Sequence, residues 1–78
     1  MECSIYKSLK KTDNYLFIKD EDDFSQVPQE LLDLLGNLEL VMAITLSQER
    51  RLAQADPLEV MRALEHEGYY LQLPPKNF

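Results

Sequence analysis

Few side chains in this sequence are suited to chemistry. There is one cysteine, Cys3, and one histidine, His66, at opposite ends of the chain. A thiolate–imidazole pair is the one nucleophilic arrangement they could form, and together they are too few for a structural zinc site. Cys3 shares a strand face with Ile5 and reads as a buried small hydrophobe. His66 follows Glu59 and Arg62 on the polar side of a helix, in the last turn, where a partial positive charge is favourable. The run Asp20-Glu21-Asp22-Asp23 offers oxygens to a cation but lacks the spacing, central glycine and terminal glutamate of a calcium loop. No GxxxxGKS/T, GxGxxG or GxSxG motif occurs. The two glycines, Gly36 and Gly68, read as helix stops. No catalytic residue, cofactor or metal is expected, and the chain reads as a non-enzyme.

Binding is better represented. Lys7, Lys10 and Lys11 lie near Tyr6 and Tyr15, and basic side chains beside aromatic rings can hold phosphates and stack bases. The plainer role of such lysines is to solvate a hairpin loop and keep sheet edges apart. Near the C-terminus, alternation places Tyr69, Leu71 and Leu73 on one strand face and Tyr70 and Gln72 on the other. Tyr70 is then at least partly exposed, and tyrosine at a polar rim is a common binding anchor. The candidate interaction surface is therefore Tyr6, Lys7, Lys10, Lys11, Tyr15 and Tyr70.

The elements that must position these residues belong to one small domain covering residues 1–78, with 74–78 expected as a flexible tail after the Pro74-Pro75 pair. A chain this short buries only roughly 60–65% of its unfolded surface, so its core is thin. A 45% apolar content with 28% charged residues suits a globular fold rather than a disordered one. A lone cysteine cannot form an internal disulfide, the N-terminus has no apolar leader, and the longest apolar run, Leu40 to Ile44, is far too short to span a membrane. A cytoplasmic protein without membrane contact is expected. The net charge of -6 is unevenly spread. Residues 1–19 carry four lysines against Glu2 and Asp13, for +2, whereas residues 20–78 carry four basic groups against twelve acids, for -8. The acidic majority repels phosphate backbones, so any nucleic-acid contact must use the N-terminal lysines locally.

Cys3 to Lys7 reads as a strand with Cys3 and Ile5 on one face and Ser4 and Tyr6 on the other. Tyr15 to Ile18 is a second strand, apolar on both faces, joined to the first as an antiparallel hairpin. Pro28 at N1, Glu30 in the first turn, the leucines at 31, 32, 34 and 35 and Gly36 at the stop mark a short helix. Leu40 to Ile44 reads as a central strand buried on both faces. Ser47 and Glu49 suggest a helix from Gln48 to Ala55. Asp56, Pro57 and Glu59 start a further helix whose core face is Leu58, Val60, Met61 and Leu64 and which Gly68 ends. Tyr69 to Leu73 is the last strand. The order is ββαβααβ, and two strands apolar on both faces need helices on both sides. The expected fold is a three-layer α/β/α sandwich around a four-stranded mixed sheet.

Several blocks resemble the YcgL family, small gammaproteobacterial proteins formerly grouped as a domain of unknown function. They are Cys3-Ser4-Ile5-Tyr6-Lys7-Ser8, Tyr15-Leu16-Phe17-Ile18, Asp23-Phe24-Ser25-Gln26-Val27-Pro28, Leu40-Val41-Met42, Leu52-Ala53-Gln54-Ala55-Asp56 and Gly68 to Pro75. They occur in order over nearly the whole chain. The resemblance implies an α/β/α sandwich, carries no catalytic residues, and implies genes neighbouring those for cell-division inhibition or ribonuclease D.

The functional expectation is a non-enzymatic protein-interaction module, monomeric or weakly dimeric, with an unidentified protein partner. Its surface would be the Tyr70 strand edge or the lysine hairpin. The alternative is an accessory factor in RNA metabolism that binds RNA weakly through Lys7, Lys10 and Lys11.

Overall fold

The alternation along the N-terminal strand sets up the whole molecule. In the computed structural model, which describes residues 1–50, 52 and 55–74, β1 (Glu2–Ser8) and β2 (Tyr15–Ile18) form the expected antiparallel hairpin. Cys3 and Ile5 belong to one buried cluster, with Phe17 of β2. Tyr6 belongs to another, with Leu16 and Ile18. Successive strand residues point to opposite faces, so one hairpin feeds both clusters.

Helix α1 (Gln29–Leu35) begins after Pro28, one position later than Pro28 at N1 implies. It ends at Gly36, whose φ of 68° suits glycine and whose N–H donates to the Leu32 carbonyl. Leu35 joins the cluster around Tyr6, with Val27 beside it. Helix α2 (Pro57–His66) starts as its signals require. The Asp56 carboxylate accepts from the Leu58 N–H at 3.0 Å, and proline occupies the first turn. The N–H groups of Glu67 and Gly68 both donate to the Ala63 carbonyl, closing the helix. Gly68 has φ of 88°, and a Cβ there would collide with the Gln26 side chain. Val60 and Leu64, both fully buried, complete the cluster around Phe17 together with Leu46.

Three expectations are corrected. First, the sheet is not mixed. β3 (Leu38–Thr45) pairs antiparallel with β1, and β4 (Tyr69–Gln72) pairs antiparallel with β2. Second, the sheet order is β3-β1-β2-β4, so the most apolar segment of the chain is an edge strand rather than a central one. Leu40, Val41 and Met42 are 41–47% exposed. The central positions go to β1 and β2, because the short hairpin loop pairs them locally and leaves one open side on each. Third, no helix forms in the described part of 48–55. Ser47 instead closes a turn, its carbonyl accepting from the Arg50 N–H at 3.1 Å. Arg51, Ala53 and Gln54 lie outside the described residues, as do Pro75 to Phe78 of the expected tail. The element order is thus ββαβαβ: a small α/β domain with a four-stranded antiparallel sheet and two helices.

Candidate interaction surfaces

The six residues singled out from sequence do not form one surface. Tyr6 is 3% exposed. Its hydroxyl donates to Asp22 Oδ1 at 3.1 Å and accepts from the Asp22 N–H at 2.8 Å. Its ring stands edge-on to Phe24, with centroids 5.0 Å apart. Burial raises the Tyr6 pKa above its ordinary value. Tyr6 therefore clamps the acidic loop onto the sheet and offers no ring to a partner. Asp22 adopts a left-handed φ of 64° in that clamp.

Lys7, Tyr15 and Tyr70 do share a face. The registers run Glu39–Lys7–Tyr15–Gln72 across the four strands, with Phe17 and Tyr70 paired alongside. Tyr15 and Tyr70 are half-buried against the Phe17 cluster. Tyr70 meets Phe17 edge-on at 5.6 Å, and burial, reinforced by the Glu59 carboxylate, raises its pKa. Lys7 lies 3.7 Å from Glu39, both side chains about half exposed, so the pair contributes little energy.

Lys10 and Lys11 have a structural task. Their backbone N–H groups donate to Ser8 Oγ at 3.2 and 2.8 Å, and the same hydroxyl donates to the Leu35 carbonyl at 2.5 Å. Buried Ser8 thus ties the hairpin loop to the end of α1. The Lys10 stem also lies against Gly36, where an added Cβ would stand 3.2 Å from the lysine Cβ. Both lysines are otherwise exposed to solvent.

Cys3 is 1% exposed, and burial pushes its thiol up to about 11. At neutral pH it is protonated and inert as a nucleophile. His66 is exposed at the end of α2. Among the described residues, no group of three or more His, Cys, Asp or Glu side chains is placed to hold a metal ion. No helix there is long and apolar enough to cross a membrane.

Sequence reading missed the most open surface. Among the described residues no strand but β1 pairs with β3, so its outer row of backbone N–H and C=O groups is unused by the sheet. The register passes from Ile5↔Met42 to Tyr6↔Leu40, leaving Val41 as the extra residue of a β-bulge. At the other end of the strand, Ala43, Ile44 and Thr45 border a cavity of about 300 Å³ whose charged lining is Glu2, Lys19, Asp20 and Glu21. Hydropathy could not reveal this, because an apolar run reads the same at the centre or the edge of a sheet.

The chain is similar to known proteins along almost its full length. The YcgL domain matches residues 3–75. A YcgL domain-containing protein of Shewanella denitrificans is 49% identical over 75 residues, 96% of this chain and 79% of the relative. One of Aliivibrio salmonicida is 51% identical over 75 residues, 96% of this chain and 80% of the relative. A Nitrosococcus oceani protein named "Putative HAD-like hydrolase" is 49% identical over 76 residues, 97% of this chain, but the chain spans only 20% of its length. The matched span, residues 3–75, takes in both central strands, the Ser8 tie and the Gly68 turn, and the chain belongs to the YcgL domain family.

Proposed function

We propose that this domain is a non-catalytic protein-interaction module that docks a partner along the free edge of β3. One observation carries the reading: an eight-residue edge strand with three consecutive exposed apolar side chains, Leu40, Val41 and Met42. Open strand edges recruit further strands through backbone hydrogen bonds. Recurrence supports it too, since a segment about half identical to this chain occupies a fifth of the much longer Nitrosococcus oceani protein, as a portable module does. The scaffold would be a three-layer α/β/α sandwich, with α1 and α2 on opposite faces; the two separate clusters, one holding Leu35 and the other Val60 and Leu64, favour that layering. A single free, buried cysteine suits the reducing cytoplasm.

The RNA alternative keeps less support. Tyr6 is buried, Lys7 faces Glu39, and only Lys10 and Lys11 remain unpaired among the described basic groups of the hairpin. Partner capture with the wild type, Met42→Lys, Tyr70→Ala and Lys10→Glu/Lys11→Glu separates the surfaces. Loss confined to Met42→Lys supports the β3 edge. Loss confined to either of the others moves the site to β4 or the hairpin, and equal capture by all four removes every proposed surface.

A further inference from the structure

Among the described residues two polar side chains are buried in the sheet, Ser4 and Ser8. Ser8 ties the hairpin loop to α1. Ser4 is 4% exposed, yet its hydroxyl bonds to no described residue. Every fully enclosed polar side-chain atom there has a partner, so the Ser4 oxygen is not enclosed. It opens into the cavity of about 300 Å³ that Ser4 lines. A buried hydroxyl without a partner costs free energy that alanine would avoid. The walls around it are charged. Ser4 stands beside Ala43 and Ile18, and Glu2 beside Thr45, on the side of the sheet that Tyr6 shares by alternation. Tyr6 holds Asp22 there, and the segment it clamps supplies Lys19, Asp20 and Glu21 to the opposite wall.

The lining therefore has an unpartnered hydroxyl at its floor and three carboxylates against one ammonium at its rim. Among the described residues the sole ion pair is Lys7–Glu39, so none of these four charges is paired. The carboxylates do not converge: no three acidic, His or Cys side chains there are placed around one metal ion. A ligand with two cationic centres on a flexible chain can reach them where a single ion cannot. The volume is at the lower end for ligand sites, so that ligand is small. We propose that the cavity binds a small aliphatic diamine, one ammonium on Ser4 Oγ and Glu2, the other on Asp20 and Glu21, its methylenes along Ala43. An ammonium has three donors and no acceptor, which suits a hydroxyl and a carboxylate together. The two charges of the diamine match the excess of two carboxylates over Lys19. Lys19 competes for the same acids and keeps the affinity modest. This site lies on the sheet face, not on the open edge of β3, and stands or falls apart from the docking reading.

Diaminobutane titrated into isotope-labelled protein tests the proposal, with butylamine and calcium chloride beside it. The diamine should move the backbone amide signals of Glu2 to Ser4, Lys19 to Glu21 and Ala43 to Thr45, and leave those of α1 in place. It should bind about fivefold more tightly than butylamine, the scale that one more exposed charge pair allows. Asp20→Asn/Glu21→Gln should erase that preference, and Lys19→Ala should enlarge it. Ser4→Ala is the sharpest variant. It should weaken diamine binding about tenfold, the scale of one hydrogen bond to a charged group, and leave the melting temperature unchanged. Equal affinity for diamine and butylamine overturns the proposal, as do signals that move alike at every acidic residue. Tighter binding of calcium at the same signals overturns it in favour of a metal ion. Unchanged diamine binding in Ser4→Ala overturns it too, and so does a lower melting temperature without ligand, which would give the hydroxyl a task in the fold.

Discussion

Two apolar strands of this molecule have opposite fates. Leu16-Phe17-Ile18 of β2 is buried on both faces, and Leu40-Val41-Met42 of β3 is exposed on both. In the sequence the two triplets look alike, and β3 is the longer strand. Neighbours make the difference. β2 has a strand on each side and a cluster above and below it, whereas β3 has β1 on one side and, among the described residues, no strand on the other. Apolar content therefore measures what a strand can bury, and sheet order decides what it does bury. When the two disagree, the uncovered strand is the place to look for a partner.

The contrast is most easily broken by truncation. Phe17→Ala should cost about 3–5 kcal/mol, because it empties a buried site and removes the edge-on contact to Tyr70. Met42→Ala should be nearly silent, within about 0.5 kcal/mol, as exposed substitutions usually are. Urea titration of both variants checks the pair, and equal losses would mean that β3 is covered after all. Ser8→Ala comes next, at about 1–3 kcal/mol, since it strands two N–H groups and one carbonyl around a buried site. The loss should appear in the same titration and localise by amide exchange to residues 9–14 and the end of α1.

A smaller effect is alkaline. The Cys3 pKa rises from 9.0 to about 11 in the folded protein, and that of Tyr6 is raised as well, both chiefly by burial. A raised folded pKa contributes stability that is full below the unfolded value and is lost as pH climbs through the folded one. Melting temperature should therefore hold up to about pH 9 and fall toward pH 11, less steeply in Cys3→Ala. Smallest of all, Met42→Lys should leave melting almost unchanged while removing any strand addition at β3. A large loss of stability in that variant would undo its use as a docking probe.

Much of the fold was legible in local chemistry. The two-sided burial of Tyr15 to Ile18, the split of Cys3 and Ile5 from Tyr6, the Asp56 cap and both glycine stops follow from side-chain type and spacing. What failed was what depends on distant neighbours. Leu40 to Ile44 carried no sign of its edge position. Ser47 and Glu49 resemble a helix start, yet the described residues there turn instead, since a short helix costs more to nucleate than its own hydrogen bonds return. The core contact of that stretch comes from Leu46, 2% exposed, just beyond the strand. The tyrosines misled because Tyr6 is buried by Phe24 and Asp22 of a distant loop, which no local composition displays. The β3 edge was hidden for the same reason, although its residues were read correctly as a strand.

The order of the sheet also sets the timetable of its birth. Of the four strands β1 is made first and becomes a central one; β2 follows at once, but β3 is complete only at Thr45 and β4 only at Gln72. A lone hairpin is marginal in water. The nascent chain thus holds both clusters unclosed until β4 is made. A product that stalls before Tyr69 lacks the strand that pairs with Leu16 and Ile18, and proteases would clear it while leaving the finished domain alone.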